Sequence, residues 1–91
     1  MPRLAWTIKL LDSAKRDLGR LDPKIARRIV GFLHDRVLAL DDPRRFGEPL
    51  AGNLRGHWRY RVGDYRVICN IEDQKLLVLV IEIGDRPEVY R

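Results

Sequence analysis

The amino-acid sequence predicts an α+β domain in which a two-helix hairpin packs on a mostly antiparallel, twisted sheet, in the order β-α-α-β-β-β. Three observations carry that prediction. Apolar residues recur at helical spacing only in the first half of the chain, and period-two alternation takes over from Trp58. A Gly63-Asp64 pair then sits between two alternating runs, which is the signature of a tight hairpin. Helices segregated from a run of strands belong to the α+β class.

Each element follows from its own residues. Trp6, Ile8 and Leu10 alternate with Thr7 and Lys9, the period of a half-buried strand. Asp12 and Ser13 then offer N-cap oxygens to a short helix carrying Ala14, Leu18 and Leu21. Asp22-Pro23 opens a second helix, with a capping carboxylate ahead of a proline whose φ is already helical. One side of this helix is traced by Ile25, Ile29, Phe32, Leu33, Arg36 and Leu40, and Ala26, Val30 and Val37 widen the stripe. From Asp41 to Asn53, proline, glycine and charge predict an irregular connection. Trp58, Tyr60 and Val62 alternate with Arg59 and Arg61; after the turn Tyr65, Val67, Cys69 and Ile71 alternate with Arg66, Ile68 and Asn70. Glu72-Asp73-Gln74 makes the next turn, and the nearly continuous apolar run from Lys75 to Ile83 reads as a central strand. Gly84-Asp85-Arg86-Pro87 stops it.

A chain of 91 residues fits one domain, residues 1–91. With 45% hydrophobic and 34% charged residues, neither disorder nor a fibrous composition is indicated. No apolar run reaches the roughly 18 residues of a membrane-spanning helix, and the opening residues lack a signal-peptide pattern, so a cytoplasmic protein without membrane contact is expected. The lone Cys69 excludes an internal disulfide framework and any C-x-x-C zinc spacing, and no metal or cofactor site is expected. Cys69 falls among the apolar positions of its strand and reads as core. The net charge of +5 points to an acidic partner. Lysine stands only at Lys9, Lys15, Lys24 and Lys75, so arginine, the better fork for phosphate oxygens, supplies most of the positive charge.

With Gly63 and Asp64 as the turn, Val62 pairs with Tyr65, Arg61 falls directly opposite Arg66, and Arg59 falls opposite Ile68 on the same face. Like charges in that position are destabilising unless an anion with several oxygens sits over them. The alternative is a solvated face whose arginines pair with Asp64, Glu82 or Asp85. Arg86 shares strand parity with Val80 and Glu82. A three-residue turn at Glu72 to Gln74 places that parity on the arginine face, and a two-residue turn reverses it. Tyr90 either arches back to the patch or packs on the sheet as a terminal aromatic. Leu76, Val78 and Val80, with Ile68, are expected to leave an apolar strip suited to a docking partner, unless the connection from Asp41 to Asn53 covers it. His57 reads as a solvated histidine, and His34 is assigned no role.

The run Pro49-Leu50-Ala51-Gly52-Asn53-Leu54-Arg55-Gly56-His57-Trp58-Arg59-Tyr60-Arg61-Val62-Gly63-Asp64-Tyr65-Arg66-Val67-Ile68, followed by Ile83-Gly84-Asp85-Arg86-Pro87-Glu88-Val89-Tyr90, resembles the RelE toxins of the RelE/ParE toxin-antitoxin superfamily. The resemblance covers nearly the whole chain, and a basic residue followed by the closing E-V-Y is more specific to the RNA-cleaving branch. It implies the toxin of a type II toxin-antitoxin system, an endoribonuclease that enters the ribosome and cuts mRNA without a metal or cofactor. By the same resemblance Arg61, Arg66, Arg86 and Tyr90 are catalytic, and Arg55 and Arg59 bind RNA. The implied reaction is attack of the substrate 2′-OH on the adjacent phosphate, giving a 2′,3′-cyclic phosphate and a 5′-OH end. The implied partners are a RelB-like antitoxin, acidic and partly disordered, together with the ribosome and mRNA; DNA is met only through the antitoxin. Relatives carry lysines where this chain has Arg59 and Arg61, and arginine is a poor general base. Tyr90 then serves either as base or proton relay, or as a stacking platform for a nucleobase. Asp85 replaces a more usual histidine or basic residue, and it either tethers Arg86 or reduces activity. The competing activity within the superfamily is ParE-type inhibition of DNA gyrase without RNA cleavage.

Overall fold

The computed structural model describes residues 6–37 and 42–85. Strand β1 (Thr7–Leu10) leads into helices α1 (Asp12–Arg20) and α2 (Pro23–Phe32), followed by strands β2 (Glu48–Pro49), β3 (Trp58–Val62), β4 (Tyr65–Glu72) and β5 (Leu77–Gly84). The strands form one sheet in the order β1-β5-β4-β3-β2, with β1 parallel to β5 and the other neighbours antiparallel. The predicted α+β architecture of two helices on a mostly antiparallel sheet therefore stands. Among the described residues no helix is long and apolar enough to cross a membrane.

The helices cover one face of the sheet. Ala14 of α1 and Ile29 of α2 meet Tyr60, Val62, Val67, Cys69, Val78, Val80 and Ile83 in a common core. Beyond Phe32 the helix continues as a π turn, Leu33–Val37, which adds Leu33 and Val37 to that core. The expected stripe is narrower than its residues suggested. Arg36 is exposed and Val30 is 48% exposed, because one helical face carries the contact through Ile29, Leu33 and Val37. Leu40 lies outside the described residues.

Two local expectations change. Asp22 caps α2 as its position demands, accepting from the Lys24 N–H at 2.8 Å. The N-cap of α1, however, is Leu11, with no side-chain cap. The Ser13 hydroxyl instead donates to the Ile81 carbonyl at 2.6 Å, and the Asp17 carboxylate accepts from the Ile83 N–H at 2.9 Å. Pairing of β1 with β5 ends at Leu10 and Val80, so these α1 side chains satisfy backbone groups that no strand reaches. The connection after α2 is also less irregular than expected. A 3₁₀ turn, Pro43–Phe46, and the two-residue β2 sit within it. Arg44 holds it down, donating to Asp42 at 3.2 Å and to Asp73 at 2.9 Å, while its guanidinium lies 5.7 Å from the Trp58 ring centroid. The buried Tyr60 hydroxyl donates to the Pro43 carbonyl at 2.7 Å.

The passage from β4 to β5 decides what shares the face opposite the helices. Four residues, 73–76, separate the strands, and Leu76 closes the turn at a left-handed φ of 50°. Glu72 pairs with Leu77 and Asn70 with Leu79, which places odd-numbered β5 residues beside even-numbered β4 residues. A bulge then intervenes: Cys69 pairs with Val80 but Ile68 pairs with Glu82, leaving Ile81 as the extra residue. Past the bulge, even-numbered β5 residues join the arginine face, and Arg66 pairs with Gly84. The expected apolar strip is not there. Val78 and Val80 are fully buried under the helices, Leu76 belongs to the turn, and Ile68, on the opposite face, is 2% exposed.

Candidate active site

The β3–β4 hairpin carries the candidate site. Gly63 takes a φ of +62°, which suits the first position of a two-residue II′ turn and is available to glycine without strain. The turn fixes the register as expected: Val62 with Tyr65, Arg61 with Arg66, Arg59 with Ile68. Ladder alternation makes Arg61 and Arg66 a non-hydrogen-bonded pair, in which opposed Cα atoms approach to about 4.5 Å and side chains are closest. Two guanidinium groups thus leave adjacent backbone positions on one face.

Their environments differ. Arg61 is exposed. Arg66 is half-buried, and its Nη1 donates toward the Asp64 carbonyl at 3.3 Å and the Asp85 carbonyl at 3.5 Å. Its head therefore spans from the hairpin turn to the end of β5. Arg59 is more enclosed, with 13% of its side chain exposed, and its Nη2 donates to Glu48 Oε2 at 2.7 Å. Glu48 pairs directly with Arg59 across β2 and β3. The arginine-face ion pair made by Arg59 goes to this carboxylate rather than to Asp64, Glu82 or Asp85. The sequence hint was a glutamate ahead of Pro49, hidden because a two-residue strand leaves no periodicity to read. Arg55 lies on the exposed turn before β3, where its N–H donates to the Gly52 carbonyl at 3.2 Å. Arg86 and Tyr90 lie outside the described residues. The β5 register reaches Gly84 with the parity that Arg86 shares.

Neither the thiol nor the histidines join this face. Cys69 is fully buried on the helix side, and burial pushes its thiol pKa up to about 12. Burial likewise raises the pKa of the neighbouring Tyr60 phenol far above its ordinary value. His57 is half-buried rather than fully solvated, its Nδ1 3.2 Å from the Leu54 carbonyl at the loop before β3.

Comparison with known proteins places this hairpin in context. A family model described as the ParE toxin of the type II toxin-antitoxin system parDE matches residues 8–90. This chain is a type II toxin of the RelE/ParE family. Within the family it is similar to toxin RelG of Mycobacterium tuberculosis, 31% identical over 88 residues that span 97% of this chain and 99% of that protein. Toxin RelE of the same organism is 39% identical over 86 residues, 94% of this chain and 87% of that one. Among solved structures, a chain of the toxin-antitoxin complex RelBE2 from M. tuberculosis superposes with a TM-score of 0.83 at 30% identity, covering 91% of this chain and all (100%) of that chain. Family membership accounts for the shared architecture: the RelE-like sheet with its two helices presents the Gly63-Asp64 hairpin on its uncovered face.

Proposed function

We propose that this toxin is a ribosome-dependent mRNA endonuclease whose reacting phosphate sits over Arg61 and Arg66. The observation that carries this reading is the direct opposition of those two arginines in the β3–β4 ladder. Such a pair is unfavourable by itself and becomes favourable when a phosphodiester lies over it. In the proposed reaction the substrate 2′-oxygen forms a bond to phosphorus as the bond to the 5′-oxygen breaks. The 2′-OH proton passes to a base, and the leaving oxygen takes a proton to become a 5′-OH. The added negative charge on the phosphorane oxygens is stabilised by the arginines. A guanidinium is a poor general base, so neither arginine is given that role. Arg86 completes the cationic site in this reading, Arg59 and Arg55 contact RNA, and Tyr90 is either base or stacking platform. Positioning within the ribosome supplies the remainder of the rate.

The partner proposed for the free toxin is an acidic, partly disordered antitoxin, a reading supported by similarity to a toxin found in complex with its antitoxin. The second reading, gyrase inhibition, is favoured by the ParE description of the matching family model. Induction of the chain alone in a bacterial host separates the two. Codon-phased mRNA cuts bearing 5′-OH ends are expected; double-strand DNA breaks with intact mRNA would reject the nuclease.

A further inference from the structure

Beside the hairpin tip, on the helix side, lies a cleft of about 480 Å³ lined by residues including Arg28, Asp35, Arg36, Arg61 and Gly63. Arg28, on α2, and Arg36, on its π extension, both line this cleft. Gly31 lies between them, and a Cβ at Gly31 would meet nothing within 4 Å, so the cleft floor is open. The Arg28 guanidinium is laid against the turn: a Cβ on Gly63 would come within 2.9 Å of its Nη1. Among the described residues the guanidinium groups of Arg28, Arg36 and Arg61 make no hydrogen bond or ion pair. The single carboxylate on the rim, Asp35, is exposed and lies 3.4 Å from His34 Nδ1. A π turn is a rare departure from α-helix and is frequent at functional sites. Here it carries both Asp35 and Arg36.

We infer that this cleft is a second phosphate site, holding a phosphodiester of the RNA strand next to the one over Arg61 and Arg66. Arg61 belongs to both places: it faces Arg66 across the ladder and lines the cleft. A ligand that occupies both must carry anionic groups in series, as a nucleic-acid backbone does. Three guanidinium groups against one carboxylate leave the cleft two charges positive, and forked donors match phosphate oxygens. The inference rests on RNA being the substrate. It adds Arg28 and Arg36 as binding residues that fix the strand's path around the hairpin tip.

The test is fluorescence anisotropy of the full chain with a 12-nucleotide 2′-O-methyl RNA, which cannot be cut, over a series of salt concentrations. The Arg28→Ala/Arg36→Ala double variant is expected to bind at least about tenfold more weakly at low salt. Its plot of log affinity against log salt should be shallower by about 0.7, the loss of one neutralised phosphate on a single strand. Arg16→Ala/Arg20→Ala on α1 removes equal charge elsewhere and should bind like the parent. The proposal is overturned if the cleft variant binds like the parent, if the α1 variant is weakened equally, or if the parent does not bind. Should circular dichroism show that the alanine pair perturbs folding, Arg28→Gln/Arg36→Gln carries the same expectation. Binding that depends on the cleft in a chain that cuts no mRNA on induction would sink the nuclease and leave the cleft standing. Cutting by a chain whose cleft variant binds normally would do the reverse.

Discussion

The carboxylate of Asp17, in the middle of α1, accepts the backbone N–H of Ile83 at 2.9 Å, so a helix side chain holds the end of the interior strand β5 in place. Ser13, one helical turn earlier, does the same for the Ile81 carbonyl at the bulge. Asp17→Ala leaves a partly buried donor unsatisfied, a loss of about 1–3 kcal/mol. The expected Tm decrease is roughly 4–8 °C for each kcal/mol in a chain of this size. Asp17→Asn keeps an acceptor and should lose less than half as much, as differential scanning calorimetry will show.

The Arg61–Arg66 pair should exchange stability for function. Arg61→Thr replaces a like-charge opposition with a β-favouring neutral residue, and urea unfolding is expected to show a gain of about 0.2–1 kcal/mol. The same variant should lose growth arrest on induction. Arg66→Ala is expected to reduce mRNA cleavage by about 10²- to 10³-fold, the usual effect of removing one donor aimed at transition-state charge. A folded but fully toxic Arg66→Ala chain would remove the hairpin from the mechanism.

Burial of Cys69 sets a pH limit on stability. Its folded pKa of about 12 lies above the ordinary thiol value of 9.0, so the folded state binds more protons than the unfolded state between those values. The contribution of this group is therefore fully present below pH 9 and is lost as pH rises toward 12, with a limiting slope of about 1.4 kcal/mol per pH unit. Tyr60, raised by burial in the same direction, adds to the fall above pH 10. Cys69→Ala should cost stability at pH 8, and its deficit relative to the parent should narrow by pH 10.5 in denaturant titrations. The native thiol should also resist iodoacetamide at pH 8 until the chain unfolds.

Arg44 should act through loop order. It joins Asp42 and Asp73 and lies over Trp58, and its hydrogen bond holds the Asp73 carboxyl below its ordinary pKa. That contribution is present above pH 3.8 and is lost as the pH falls through the lowered folded value. Arg44→Ala is expected to increase amide exchange in residues 42–50 at neutral pH while leaving β4 unchanged. Arg44→Lys, which keeps the charge without the fork, should give an intermediate result.

What the sequence made legible was set by local chemistry. A two-residue turn led by Gly63 admits one register, so the opposition of Arg61 and Arg66 could be read from spacing. The face reached by the end of β5 could not. A four-residue connection reverses parity, the bulge at Ile81 restores it, and the groups that hold the bulge, Ser13 and Asp17, lie more than sixty residues away in the chain. Ser13 read as a cap because its position suits one; tertiary contact claimed its hydroxyl first. Arg36 read as part of an apolar stripe because α-helical period was extended through a π turn, where that period does not hold. Arg28 carried no signal at all, since a lone helical arginine gains meaning only when the hairpin tip is folded against it.

The parallel pairing of Thr7 with Leu77 joins segments seventy residues apart. Such a contact closes late, whereas the β3–β4 hairpin needs only its own turn and forms early. During synthesis, a chain interrupted before Leu77 therefore holds Arg59, Arg61 and Arg66 in full, yet lacks the strand that backs them. Premature fragments of this toxin should be harmless, and cells should detect toxicity only from chains translated through β5.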